Sequence, residues 1–106
     1  MINILGVNYK IEKHDSNEDQ KLESANGYCE TYSKKIVLEE IHSHPMNLEK
    51  IKDFEKKVLR HEIIHAFLFE SGLDSNSEWA RNEEIVDWFA IQAPKIVAAF
   101  KAAGCL

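Results

Sequence analysis

An α+β fold, with a small antiparallel sheet of about three strands packed on helices, is predicted by three observations along the sequence. Short runs with period-two alternation are confined to residues 2–40. Apolar residues at three- and four-residue steps dominate the chain beyond that point, and turn formers cluster between the two kinds of segment. A length of 106 residues is read as one domain, 1–106, built on a single core with little room for separate lobes.

Ile2 to Lys13 carries Ile, Leu, Val, Tyr and Ile in rough alternation and reads as a strand. The following His14-Asp15-Ser16-Asn17-Glu18-Asp19-Gln20 contains no apolar residue and reads as a loop. A cation site among its acids and His14 is the lesser reading. Gly27 to Tyr32 and Lys35 to Glu40 are two β runs around Ser33-Lys34, the arrangement of a tight hairpin. His42-Ser43-His44-Pro45 reads as a solvent-facing loop in preference to a second metal site.

Asn47 is a suitable N-cap, Glu49 complements the positive end of a helix, and Gly72 is a suitable stop. Between them Ile51, Phe54, Val58, His61, His65 and Leu68 form one core-facing stripe. Ser71 to Ser77 is dense in turn formers and reverses the chain, so a second helix from about Ser77 runs antiparallel to the first. That start puts Glu83 about two turns into the second helix, opposite the histidines. Pro94 ends or kinks it near Ala93, and Ile96, Val97 and Phe100 resume an apolar face in a last helix stopped by Gly104. Trp79, Trp88 and Phe89 read as core or cleft wall.

Thirteen Lys and Arg against eighteen Asp and Glu give a formal charge of −5, which argues against nucleic acid as a partner. Lys56, Lys57 and Arg60 alternate with acids and read as a solvated helix face. Cys29 and Cys105 read as free thiols in a reducing compartment. Residues 1–10 have neither a basic start nor the apolar run of a signal peptide, and no segment approaches the length of a membrane span. A cytoplasmic protein without membrane contact is expected.

The chemistry concentrates in His61-Glu62-Ile63-Ile64-His65. Histidines four apart share a helical face and suit a Zn²⁺ ion held at roughly 2.0–2.1 Å. Glu62, about a quarter turn away, suits a base that takes a proton from water acidified by the metal. The same pattern also describes two core histidines hydrogen-bonded to each other. A third ligand on a second element, with a carboxylate to orient one imidazole, separates the two readings. Downstream, Asn82-Glu83-Glu84-Ile85-Val86-Asp87 provides both: Glu83 and Asp87 lie four apart on one face. Glu84 is the rival ligand.

These two motifs resemble those of the gluzincin metallopeptidases, in which H-E-x-x-H is followed on a later helix by N-E-x-x-x-D. The small size and the Asp87-Trp88-Phe89-Ala90 continuation are similar to minimal gluzincins and to ImmA/IrrE-type intracellular peptidases. The resemblance covers about residues 58 to 92. It implies a zincin-like fold with one Zn²⁺ per chain held by His61, His65 and Glu83, and it favours Glu83 over Glu84. It also implies Glu62 as general base and Asp87 as the partner of a zinc-binding histidine. A strand before the metal helix would pair with an extended substrate, for which Ile36, Val37 and Leu38 are the candidates. Tyr28, Tyr32 and His44 are candidate oxyanion donors.

With only five histidines, none after His65, the third histidine of metzincins is missing. Cys29 lies outside the Glu-Gly-Cys pattern of peptide deformylases. The implied activity is zinc-dependent hydrolysis of a peptide or protein, by analogy a regulatory protein such as a repressor. A catalytically silent zinc domain and a metal-free helical interaction domain are the alternatives.

Overall fold

The computed structural model describes residues 1–41 and 48–106; the expectations for His42, His44 and the Asn47 cap fall outside the described residues. Its elements are β1 (Ile2–Ile4), β2 (Val7–His14), β3 (Gly27–Glu30), β4 (Lys35–Glu39), α1 (Leu48–Glu70), α2 (Leu73–Asn76) and α3 (Glu83–Ala102), with 3₁₀ turns at Gln20–Leu22 and Glu78–Arg81. The class is α+β, as expected.

The sheet differs from expectation in size and in direction. It has four strands in the order β1-β2-β4-β3, and it is mixed. The N-terminal run is two strands, because Leu5 (φ +50°) and Gly6 (φ +90°) both take the left-handed conformation that a two-residue hairpin requires. The Asn3 side chain accepts a hydrogen bond from the Gly6 amide at 2.9 Å, closing that turn. β2 extends to His14, so the predicted loop starts one residue later. β4 then inserts between β2 and β3, parallel to β2 and antiparallel to β3.

α1 is the central element, in contact with β1, β3 and β4 and also with α3. Ile4, Tyr9, Ile36 and Leu38 of the sheet meet Val58 and Ala66 of α1 in the main core, and Val86 and Ala90 bury the α3 side. Gly27 brings β3 hard against α1. A Cβ built there would stand 2.9 Å from Val58 Cγ1 and 3.0 Å from the Val37 carbonyl, closer than carbon atoms pack. α1 is followed by Gly72 at φ +86°, the left-handed stop expected of it.

Two helix expectations are corrected. The 3₁₀ turn at Glu78–Arg81 takes the place of the predicted helix start, and α3 begins only at Glu83, where the Asn82 side chain accepts from the Ile85 amide at 3.0 Å. Glu83 is therefore the first residue of α3, not two turns in. Nor does Pro94 divide the C-terminal segment: α3 is one helix, and no separate last helix forms. Proline cannot donate to the Ala90 carbonyl four residues earlier. Arg60 of α1 donates instead, its Nε lying 2.6 Å from that oxygen.

Candidate metal centre

His61 and His65 leave the same face of α1, one turn apart, with ring centroids 4.9 Å from each other. Their Nε2 atoms face one another at 3.2 Å. The Glu83 carboxylate closes the group, Oε1 lying 2.6 Å from His65 Nε2 and Oε2 3.4 Å from His61 Nε2. Tetrahedral ligands at roughly 2.0–2.1 Å from a zinc ion stand about 3.3 Å from each other, so two of these three separations are those of a zinc ligand set. Two imidazoles and a carboxylate are also the donor types that zinc takes. Among the described residues this is the one group of three suited to a metal ion. Glu84 is exposed and takes no part in it.

The position of Glu83 follows from local sequence. Asn82 caps α3, so the carboxylate of the next residue sits at the positive end of the helix and is thrown forward over α1. Its side chain is 70% exposed, which leaves the group open to solvent on that side. Asp87, one turn further along α3, places Oδ1 3.1 Å from His61 Nδ1 and 3.4 Å from Lys57 Nζ. Burial works to raise the Asp87 pKa, but the hydrogen bonds from His61 and Lys57 outweigh it and hold the group ionised. A proton fixed on Nδ1 leaves the Nε2 lone pair of His61 directed at His65 and Glu83. His65 is shifted downward, chiefly by burial, and so is held neutral, the state in which imidazole binds metal.

Glu62 is 7% exposed, the one buried charged residue among those described. Burial pushes its carboxyl up to about 7, with Glu83 reinforcing the shift and the neighbouring His61 opposing it. It borders two cavities. One, of about 190 Å³, is lined by Asn26, Gly27, Lys57, His61 and Asp87; the other, of about 310 Å³, by Cys29, Thr31, His65, Phe69 and Asp74. Glu62, Glu83 and Gly27 line both, so the two cavities are halves of one cleft between β3 and the helices.

The other expected residues are arranged differently. β4 is paired on both sides, with Ile36 and Val37 fully buried and Leu38 nearly so. It has no free edge for an extended chain. Among the described residues the free edge beside the cluster belongs to β3, whose Gly27 and Cys29 line the cleft. Tyr28 is turned by strand alternation to the other face of the sheet, where its hydroxyl donates to Asp19 Oδ2 at 2.5 Å. That removes it as an oxyanion donor. Tyr32 is 92% exposed and meets, edge to face at 5.8 Å, the ring of Phe69, a wall residue of the larger half.

Sequence reading missed Gly27, Cys29 and Asp74 as cleft residues. Only Gly27 carried a usable signal, a glycine opening a β run, which marks close backbone approach. Cys29 and Cys105 are free thiols; burial pushes the Cys29 thiol up to about 12, making it an inert wall. No described helix is long and apolar enough to cross a membrane.

The fold and the cluster together define a class, an α+β domain with a two-histidine, one-glutamate group suited to a metal on a central helix. No family model, curated protein or solved structure matches the chain.

Proposed function

We propose that this protein is a zinc-dependent hydrolase of peptide bonds, acting on a peptide or protein substrate, with Glu62 as general base. The observation that carries the reading is the meeting of His61, His65 and Glu83 from two helices, with a buried glutamate beside them and Asp87 behind His61. An ordinary polar network in a core does not need that buried carboxyl next to an open cleft.

His61, His65 and Glu83 would hold the ion. When bound, Zn²⁺ supplies a Lewis acid that polarises a carbonyl and lowers the pKa of water. Glu62 takes the proton from the attacking water and returns it to the leaving nitrogen; its position against both halves of the cleft gives it access to each. Asp87 keeps His61 in one tautomer. The β3 edge gives an extended substrate a main-chain partner, a mode of binding that accepts many side chains. Exposed Tyr32 is the remaining described candidate for oxyanion stabilisation. A regulatory protein as substrate rests on the resemblance to ImmA/IrrE-type peptidases.

The test joins metal analysis to turnover. Protein purified without a metal-affinity tag should contain one zinc per chain and cleave a denatured protein substrate, and Glu62→Gln should keep the zinc and lose the cleavage. Undiminished activity in that variant sinks the assignment. Zinc without turnover on any peptide identifies a silent metal domain, and its absence under zinc-replete conditions a metal-free one.

A further inference from the structure

The two halves of the cleft differ in charge and in wall chemistry. The smaller half carries a cation, Lys57, whose Nζ lies 3.4 Å from Asp87. Among the described residues the larger half, beside His65, has no lysine or arginine in its wall, and Asp74 is part of that wall. Glu83 in that half is engaged with both histidines. Asp74 is not engaged: among the described residues its carboxylate has no hydrogen-bond or ion-pair partner, and Arg81 binds its main-chain carbonyl instead. Lys34 is near Phe69, with Nζ 5.0 Å from the ring, but it is held by Glu70 at 2.7 Å.

We propose that the half of the cleft beside His65 is a subsite for a positively charged substrate side chain, lysine or arginine, and that Asp74 selects it. The inference rests on the hydrolase reading and adds its substrate class. A cavity of about 310 Å³ has room for a long side chain. Phe69 forms part of its wall and Tyr32 packs edge-on against Phe69. Lysine and arginine lay their methylene stems along such apolar surface while the charged head seeks a polar partner. Asp74 is half-buried in the same wall, and among the described residues its carboxylate has no hydrogen-bond or ion-pair partner, so a charged head can pair with it. A neutral side chain leaves that carboxylate unpaired, and an acidic one adds repulsion, so discrimination comes from both terms.

The test uses acetylated, amidated peptides on an alanine background, with lysine, arginine, norleucine or glutamate moved through successive positions. Binding is measured calorimetrically to zinc-loaded Glu62→Gln protein, and cleavage by mass spectrometry with the wild type. Lysine or arginine at one fixed position should improve binding and kcat/KM over norleucine by roughly 10–100-fold, the range of a charge-assisted contact. Asp74→Asn should erase that ratio, Asp74→Glu should retain it, and Asp74→Lys should turn it toward glutamate. Reversal by the lysine variant separates selection from mere structural support. Equal binding of lysine and norleucine peptides, or an unchanged ratio in Asp74→Asn, overturns the subsite. Charge-selective binding to the Glu62→Gln protein, erased by Asp74→Asn but with no cleavage by the wild type, supports the subsite and defeats the hydrolase reading instead.

Discussion

Asp87 Oδ1 lies 3.1 Å from Nδ1 of His61, so a carboxylate on α3 fixes an imidazole on α1. The same helix delivers Glu83 one turn earlier, and the two acids therefore act on the histidines as one rigid piece. Partners that orient a metal-binding histidine from behind typically change metal affinity by about 10–100-fold.

Asp87→Ala should accordingly loosen zinc by about 10–100-fold while leaving the fold intact. Competition with a chromogenic chelator reads the affinity, and circular dichroism reads the fold. An unchanged affinity would mean that Asp87 only pairs with Lys57.

The neighbouring acids separate cleanly. Glu83 touches both histidines and Glu84 is exposed outside the group. Glu83→Gln should lose stoichiometric zinc, whereas Glu84→Gln should retain it, as measured by elemental analysis after dialysis. Retention in the first and loss in the second would exchange their roles.

The candidate site was legible in the sequence because each part is a local spacing: His61 and His65 four apart, Glu83 and Asp87 four apart. What brings the pairs together was only partly legible. Asn82 and Ser77 are both capping residues; the chain uses Asn82, because residues 78–81 form a 3₁₀ turn first. The parallel pairing of β2 with β4 joins strands far apart in sequence, which no short-range pattern records. The unbroken apolar run Ile36-Val37-Leu38 did hold the information that β4 is buried on both faces. Resemblance alone points to it as a substrate strand, whereas among the described residues the edge on that side is β3. Asp74 was hidden in a run of turn formers, where composition describes the turn and not the wall it builds.

Stability should fall in acid through Glu70. Hydrogen bonds from Lys34 Nζ at 2.7 Å and the Tyr9 hydroxyl at 2.6 Å lower its pKa in the folded protein, against a smaller opposing effect of burial. A depressed folded pKa contributes stability that is complete above the unfolded value of about 4.3 and is lost as pH falls through the folded value. Glu70→Gln should therefore narrow the gap to wild type as pH drops from about 6 to about 3, in urea midpoints measured along the series. A constant gap across that range would remove Glu70 as the source.

The continuity of α3 through Pro94 gives a coupling that can be measured. The Ala90 carbonyl, deprived of an amide donor by proline, is satisfied by Arg60 at 2.6 Å, thirty residues away in sequence. Arg60→Met removes a charged donor from a carbonyl with no helical partner and should cost about 1.5–3 kcal/mol in urea denaturation. Pro94→Ala restores an amide at position 94, and the carbonyl then has a partner without Arg60. In that background the cost of Arg60→Met should shrink by about 1 kcal/mol or more, a coupling within the range for residues that share a partner. Costs that simply add, to within about 0.3 kcal/mol, would show that Arg60 does not stand in for the missing amide. The stakes reach the candidate metal centre, because Arg60 immediately precedes His61 and its bond to Ala90 ties that turn of α1 to the helix that carries Glu83 and Asp87.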